Sequence, residues 1–232
     1  MKKIKLLLLI CISAAFFSCK DESGEFARPM LSDADMAQGL KDCLNLSLDS
    51  ANAHLAVPNG FYHYKENAYR IHFPTSVERI IDTLTEHGQR EMIDSLIVLT
   101  NRMAEANGSV YKVQVGSLIA KTTFSTPRSI INGADNAACE YFKKTQLLPL
   151  IDVLKPVFSV SMETFGINSY WQEIIVLYAS YDATPVMLDF PYEISRQVAE
   201  NIIAEMAVEE VLIRKYESHR KTNLLKKIFE DK

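Results

Sequence analysis

Apolar residues recur at intervals of three and four positions through most of this sequence, and that spacing restricts the fold more than any other feature. Three stretches show it over several turns: Met36 to Leu55, Met92 to Ala106 and Ile194 to Ile213. Residues at these intervals lie on one face of an α-helix, so each stretch predicts a helix with one apolar side. Such a side is stable only when another element covers it, so the helices are expected to pack together.

The small number of glycines and prolines favours long helices with few turns between them. The 232 residues include only 8 Gly and 8 Pro, well below the roughly 12% that the two make up in an average protein. The hydrophobic fraction of 48% is enough for a sizeable core. We therefore predict a single all-α domain over residues 32–232, a bundle of about seven to nine helices.

Two regions depart from the helical pattern. Around residues 69–73, apolar and aromatic side chains alternate with polar ones up to Pro74, which predicts one short extended segment. Between residues 147 and 165, Pro149 and Pro156 are expected to split or kink a helix, because proline lacks the N–H that a helix interior requires.

The N-terminus has the features of a secretory signal peptide in the usual order. A short basic front precedes an apolar run from Leu6 to Phe17, which is shorter than the roughly 20 residues of a membrane-spanning helix. The small residue Ser18 directly precedes Cys19, an arrangement that resembles the lipobox of bacterial lipoproteins. The resemblance implies cleavage of residues 1–18 and acylation of Cys19. An ordinary signal peptide with an incidental cysteine is the alternative.

The residues after Cys19 carry a second targeting pattern. Lys20, Asp21 and Glu22 resemble the signal that directs lipoproteins of some Gram-negative bacteria to the outer face of the outer membrane. A solvated tether, which we assign to residues 19–31, would have a similar composition. Together the two patterns predict an envelope protein, held on the outer membrane by the acyl chains of Cys19, with surface exposure as the finer expectation.

Charge and motif content exclude some function classes. A formal net charge of −4 argues against a nucleic-acid partner. The short motifs of serine hydrolases, zinc proteases, CxxC redox sites and phosphate-binding loops are missing, and no two histidines lie three or four residues apart. We therefore predict no catalytic residue, no metal site and no cofactor. Cys43 and Cys139 lie within helical patterns, as free buried thiols or as a disulfide.

A polar cluster of Asn101, Arg102 and Glu105 lies within one predicted helix. Arg102 and Glu105 are three residues apart on the side opposite the apolar face, so they are expected to form an ion pair. The pair is either solvated or, if other helices surround this one, buried against a neighbour.

The last long helical stretch carries two acids close to its apolar face. Glu210 is at the edge of that face, four residues before Arg214, which favours an ion pair. Glu209 points into the face, where a charge is costly unless it is paired. We expect Glu209 either to meet Arg102 or Arg220 from another element or to mark the point where the helix leaves the core. A structural role is favoured over a catalytic one.

The chain closes with a basic amphipathic stretch, Arg220 to Phe229. We favour a closing helix whose apolar residues dock on the core. An anionic membrane surface or the groove of a partner is the alternative.

Seven short motifs in order resemble domain-of-unknown-function family 4197, a family of exported bacterial proteins. They are Gly39-Leu40-Lys41, Arg70-Ile71-His72-Phe73-Pro74, Asn101-Arg102-Met103-Ala104-Glu105, Ile131-Asn132-Gly133, Ala137-Ala138-Cys139-Glu140-Tyr141-Phe142, Glu209-Glu210-Val211-Leu212-Ile213-Arg214 and the stretch 220–229. The resemblance covers Gly39 to Phe229 and implies a mostly helical exported domain. It implies no activity, ligand or catalytic residue.

Three functions agree with these features. Because no catalytic constellation is found, we expect a non-enzymatic binding or interaction module whose protein or ligand partner is unknown. The alternatives are an enzyme with an acid-based site centred on Glu209 and a helical carrier of an apolar ligand.

Overall fold

The computed structural model describes residues 31–230 and contains ten α-helices and two short 3₁₀ turns within them. The helices are α1 (Asp33–Leu55), α2 (Tyr64–Asn67), α3 (Glu78–Glu86), α4 (Arg90–Ala106), α5 (Gly108–Lys121), α6 (Pro127–Ile131), α7 (Ala137–Thr164), α8 (Ile167–Ala179), α9 (Phe190–Lys215) and α10 (Asn223–Ile228), and the 3₁₀ turns are Thr75–Val77 and Glu217–His219. The predicted signal peptide, Cys19 and the motif Lys20 to Glu22 lie outside the described residues.

The core forms around α9, which packs most extensively against α7 and α1. The apolar faces predicted from the sequence are the buried ones: Leu40 and Leu44 of α1 and Val198 and Ile202 of α9 are fully buried. The all-α class is confirmed. Seven of the helices have nine or more residues, and the other three are short.

Helix α7 runs through both of its prolines. Pro149 and Pro156 lie inside one 28-residue helix, so of the two predicted outcomes, a split and a kink, the split is wrong and the kink stays a prediction. The residues four positions before them, Thr145 and Asp152, are exposed. The carbonyl groups that lose their helical donors therefore face the solvent side of α7, where water can serve instead.

No strand is present among residues 31–230, and residues 70–74 belong to neither a helix nor a strand. The short extended segment predicted at 69–73 thus has no neighbouring strand. The backbone groups of Ile71 and His72 bond to side chains instead, as described below.

The end of α1 and the start of α5 approach each other closely. A Cβ atom added to Gly108 would lie 2.1 Å from the Cβ of Ala56, so only glycine fits at this contact. This contact lies where the chain leaves α1 and enters the loop that carries the candidate site.

Candidate functional site

The loop after α1 has a strained backbone. We call residues 56–74 the polar loop. Asn59, Lys65, Glu66 and Asn67 have φ values of +70°, +46°, +57° and +72°, and no other described non-glycine residue has a positive φ. The short element α2 is therefore a left-handed turn over most of its length and not a regular right-handed helix. A side chain in this region costs roughly 1–2 kcal/mol, so three in succession persist only where surrounding contacts hold them.

The carboxylate of Glu205 holds one half of the polar loop. Glu205 lies on α9, and its side chain is only 2% exposed. Its Oε1 accepts hydrogen bonds from Nδ1 of His54 at 2.7 Å and from the Tyr64 hydroxyl at 3.1 Å. Its Oε2 accepts from Nζ of Lys65 at 2.7 Å and from the Tyr69 hydroxyl. Four donors saturate the carboxylate, so its role here is to fix the side chains around it.

The surroundings of Glu205 stabilise its ionised form. Burial raises the pKa of Glu205, but the hydrogen bonds from Lys65 and Tyr69 lower it by more. The pKa of Glu205 therefore lies below its ordinary value. Burial, and then the hydrogen bond to Glu205, raises the pKa of Tyr69. The hydroxyl therefore stays a donor, and the ammonium group of Lys65 balances the buried negative charge.

A second buried carboxylate, Glu105 of α4, holds the start of the polar loop. Its Oε1 accepts from the backbone N–H groups of Phe61 and Tyr62, both at 3.3 Å. Its Oε2 accepts from Nη1 of Arg102 at 2.6 Å, and Nη2 of Arg102 donates to Oδ1 of Asn59 at 2.5 Å. The predicted ion pair is present, with Glu105 buried and Arg102 half-buried. It acts as a tie for the loop.

Side-chain amides replace a neighbouring strand for the extended segment. Asn101 accepts from the N–H of Ile71 at 2.9 Å and donates to its carbonyl at 3.0 Å. Gln197 of α9 makes the same pair of bonds with the backbone of His72, at 2.9 and 2.8 Å. The backbone N–H and carbonyl groups of Ile71 and His72 are therefore satisfied by side-chain amides and need no neighbouring strand.

These ties shape a cleft of about 280 Å³ between the end of α1 and the polar loop. Its lining residues are His54, Val57, Pro58, Asn59, Gly60, His63 and Tyr64. The imidazole of His54 is oriented by Glu205, and Nδ1 of His63 lies 3.0 Å from Oδ1 of Asn67. The polar groups of the cleft are thus positioned by contacts behind them.

The other predicted polar residues form a separate node inside the core. Glu210 and Arg214 are fully buried and 2.7 Å apart, which confirms the predicted pair. Glu210 also accepts from the N–H groups of Ala138 and Cys139 at the start of α7, at 2.9 and 2.7 Å. This node joins helix ends and lies away from the cleft.

Arg214 and Arg220 complete this node. Arg214 donates to the carbonyls of Ile131 and Ile130 at the end of α6, at 2.7 and 3.2 Å. Arg220 donates to the carbonyls of Ile213 and Arg214 at the end of α9, at 3.0 and 2.7 Å. Cations at helix C-termini satisfy carbonyls that have no partner within the helix.

Glu209 does not have the partner expected for it. Its carboxylate lies 2.9 Å from Nδ1 of His219 and accepts from the Ser50 hydroxyl at 3.1 Å. Arg102 and Arg220 bind elsewhere, so both proposed pairings are wrong. The side chain of Glu209 is 14% exposed, because the 3₁₀ turn after α9 folds back and brings His219 alongside.

One protein-family model matches most of the chain. It matches residues 30–230 and describes a protein of unknown function, DUF4197. The chain belongs to the DUF4197 family. No curated protein and no solved structure matches it.

The residue that sequence reasoning missed in this DUF4197 chain is Glu205. Seven residues after Val198, it lies within about 20° of Val198 around the helix, on the apolar face. The argument made for Glu209, that a charge on an apolar helix face needs a partner, therefore applies to Glu205 as well. Its partners could not be inferred, because the left-handed turn that brings Lys65 to it has no simple sequence signal.

The remaining expectations concern cysteines, metals and membranes. Cys43 and Cys139 are buried free thiols. Among the described residues, no group of three or more His, Cys, Asp and Glu side chains is arranged to hold a metal ion. Within the same part of this DUF4197 chain, no helix is both long and apolar enough to cross a bilayer.

Proposed function

We propose that this protein is a lipid-anchored envelope module that binds a small polar ligand in the cleft beside the polar loop. The lipobox-like sequence around Cys19 supports the anchor, and the motif Lys20 to Glu22 supports display on the outer face of the outer membrane. The ligand site is the part of the proposal that the described residues support.

The observation that carries it is the way the cleft is held. Three consecutive left-handed residues, 65–67, are kept in place by a buried carboxylate whose four hydrogen-bond positions are filled. Strain that surrounding contacts maintain is a feature of preorganised sites. A cleft whose polar groups are fixed before the ligand arrives loses less entropy on binding.

Binding is favoured over acid–base catalysis by the state of the carboxylates. Four donors occupy the carboxylate of Glu205, and two backbone N–H groups and Arg102 bind that of Glu105. Both carboxylates are thus committed to holding the loop, which does not favour a role in taking a proton from a substrate. Glu209, the centre of the alternative enzyme, is engaged with His219 and Ser50.

The cleft offers three polar side chains, His54, Asn59 and His63, within a lining surface that is mostly apolar. A ligand of this cleft therefore needs polar groups of its own, because burying these side chains without partners would be costly. A wider groove of about 580 Å³ lies beside α4 and Tyr170. We place the site in the smaller cleft because its histidines are oriented by hydrogen bonds to Glu205 and Asn67, whereas Asp94 of the groove pairs with Arg90 at the surface.

Binding is tested by NMR of the histidine rings in the full chain, purified in detergent micelles. Zinc chloride, inorganic phosphate, glucose and a blocked dipeptide are the probes, each at millimolar concentration. We expect at least one probe to shift the signals of His54 and His63, with His87 and His219 unchanged. The proposal fails if no probe shifts the first pair, or if every shift falls on the second pair.

The anchor is tested by replacing Cys19 with Ser and fractionating cells. We expect the parent in the membrane fraction and the variant in the soluble envelope fraction. A variant that stays in the membrane fraction would show that acylation is not the anchor.

Display is tested by replacing Lys20, Asp21 and Glu22 with Ala and treating intact cells with protease. We expect the parent to be digested and the variant to be protected. Equal digestion of the two would exclude a role for the three residues in display.

A further inference from the structure

The ring of Tyr62 in the polar loop carries two arginine side chains. The guanidinium carbon of Arg70 lies 4.0 Å from the centroid of this ring, and that of Arg102 lies 5.7 Å from it. The two guanidinium groups are therefore at most about 10 Å apart. A guanidinium this close to an aromatic face is attracted to it. We call Tyr62, Arg70 and Arg102 the Tyr62 patch.

Arg70 is held in one orientation and keeps two donor groups unused. Its Nε donates to the carbonyl of Tyr62 at 3.1 Å, while its guanidinium lies over the ring of the same residue. Within residues 31–230, neither Nη atom of Arg70 meets an acceptor. Both Nη atoms reach solvent, since the buried polar atoms without a partner belong to other side chains. With Nε occupied, Nη1 and Nη2 form the edge of the guanidinium that remains for a ligand.

The Tyr62 patch has a net positive charge. Arg102 pairs with Glu105 at 2.6 Å, and that carboxylate also accepts from the N–H groups of Phe61 and Tyr62. In the part of the chain that the structure describes, no second acid pairs with either arginine. One carboxylate thus balances two guanidinium groups, and the charge without a counter-charge is that of Arg70.

From these contacts we infer that the Tyr62 patch binds an oxyanion, the carboxylate or phosphate group of a small molecule or of a lipid headgroup, through Nη1 and Nη2 of Arg70. Two parallel N–H donors match two oxygens of such a group. Arg102 adds positive charge at about one Debye length or less. The inference goes beyond the proposed cleft, whose lining does not include Arg70.

The fixed orientation is what distinguishes Arg70 from an ordinary surface arginine. A mobile side chain loses rotamer freedom when a ligand orders it, which weakens binding. The hydrogen bond and the ring contact of Arg70 have already restricted its side chain. Arg128 is exposed, and among the described residues its side chain makes no hydrogen bond, ion pair or ring contact. Arg128 is therefore the matched control.

The patch adjoins the cleft, so the experiment has to separate the two. Nη2 of Arg102 donates to Oδ1 of Asn59, and the Tyr62 ring lies 4.3 Å from the His63 ring. Both Asn59 and His63 line the cleft. A shift of the His63 signal alone does not distinguish the two sites, whereas the Arg70 side chain and its replacement do.

The first test follows the Nε–H signal of Arg70 by NMR in the full chain, purified in detergent micelles. The bond to the Tyr62 carbonyl slows exchange of this proton with water, and Arg70→Lys identifies the signal by removing it. Sodium phosphate and sodium acetate are the soluble probes, and phosphatidylglycerol mixed into the micelles is the lipid probe. We expect at least one probe to cause a saturable shift of the Arg70 signal, with none at Arg128.

The second test keeps the charge and removes the paired donors. We expect the responding probe to bind at least about 10-fold more weakly to Arg70→Lys, because an ammonium group cannot bind two oxygens in parallel. The backbone amide signal of residue 70 reports this affinity in both proteins. Arg128→Lys should bind as the parent does. Protection of the Ile71 amide, which Asn101 holds, shows that the polar loop is intact in each variant.

The pattern of responses identifies the source of the oxyanion. A shift with phosphate or acetate supports a soluble ligand, and a shift with phosphatidylglycerol alone supports a lipid headgroup. The absence of a saturable Arg70 shift with all three probes would overturn the inference, as would equal affinity of the parent and Arg70→Lys. The proposed cleft survives that result if a probe still shifts the signal of His54, which Glu205 orients and the patch does not contact.

Discussion

Glu210 and Arg214 illustrate how a buried charge becomes tolerable. Each is fully buried, and each also binds backbone groups at a helix end, Glu210 at the start of α7 and Arg214 at the end of α6. A buried ion pair gains little on its own, because desolvation offsets the attraction. Here the charges also replace the hydrogen bonds that the two helix ends would otherwise lack.

Removing Glu210 should therefore be much more costly than removing its neighbour. Glu210→Ala leaves Arg214 buried without its counter-charge, and we expect a loss of about 3–5 kcal/mol in the free energy of unfolding. Glu209→Ala removes a partly exposed pair with His219, for which we expect up to about 1 kcal/mol. Urea unfolding of both variants measures the difference. Equal midpoints would contradict this assignment of partners.

Glu205 should make the fold sensitive to acid. Because its pKa is lowered in the folded state, its contribution to stability is fully present above the ordinary carboxyl pKa of about 4.3. That contribution is lost as the pH falls through the lowered folded pKa. We expect the urea midpoint of the parent to fall more steeply between pH 7 and pH 3 than that of Glu205→Gln. If the urea midpoints of the two proteins change with pH in parallel, the carboxylate of Glu205 is solvated and this assignment is wrong.

Helical projection placed Glu209 and Glu210 at the apolar face of α9 but could not show which groups they meet. The pair Glu210–Arg214 could be predicted because both residues lie on one helix, four positions apart. The partners of Glu209 and Glu205 come from a 3₁₀ turn and from a left-handed loop. Both depend on backbone angles that local residue preferences do not determine, so they were missed or wrongly assigned.

At the scale of elements, the extended segment shows the same limit. Alternation and Pro74 predicted a departure from the helical pattern here, and residues 70–74 belong to neither a helix nor a strand. The prediction could not say which groups the backbone of this segment pairs with. Asn101 and Gln197 supply those groups from α4 and α9. The prolines of α7 led to the opposite error, because they predicted a break where the helix continues. A helix with an exposed side tolerates the lost hydrogen bonds, since water can replace them.

Asn101 should be the most sensitive of the residues that hold this segment. Asn101→Ala leaves the buried N–H and carbonyl of Ile71 unpaired, and we expect a loss of about 1–3 kcal/mol. Asn201→Ala is the control, since Asn201 makes one partly buried bond to the Tyr69 carbonyl. Hydrogen exchange should show lost protection at the Ile71 amide in the first variant alone. Retained protection there would argue against this tie.

For the whole molecule, the motifs that carry the family resemblance are largely contacts with one another. Asn101 holds Ile71, Glu210 holds Cys139, and Gly39 of α1 leaves room for Ile228 of α10, whose Cδ1 would lie 2.7 Å from an added Cβ. Short stretches far apart in the chain thus meet in pairs across the bundle. These motifs describe how the fold is held, which is why they imply no activity.

The C-terminal stretch belongs to this network and is not a free amphipathic tail. Leu225 and Phe229 are fully buried and Ile228 nearly so, and the Phe229 ring lies 4.6 Å from the guanidinium carbon of Arg214. The apolar side that could have entered a membrane or a partner's groove is used by the core. The prediction that a closing helix docks on the core is therefore confirmed.

Ending the chain after Lys221 should destabilise the whole bundle. The deletion removes the buried side chains of α10, each contributing about 1.5–3 kcal/mol, and uncovers Arg214. We expect a loss of at least about 3 kcal/mol in urea unfolding. Replacing Lys226 and Lys227 with Gln removes the exposed charges alone and should change stability by less than about 0.5 kcal/mol. If the two charge replacements destabilise as much as the deletion, the basic side of α10, and not its packing on the core, is what holds the chain end in place.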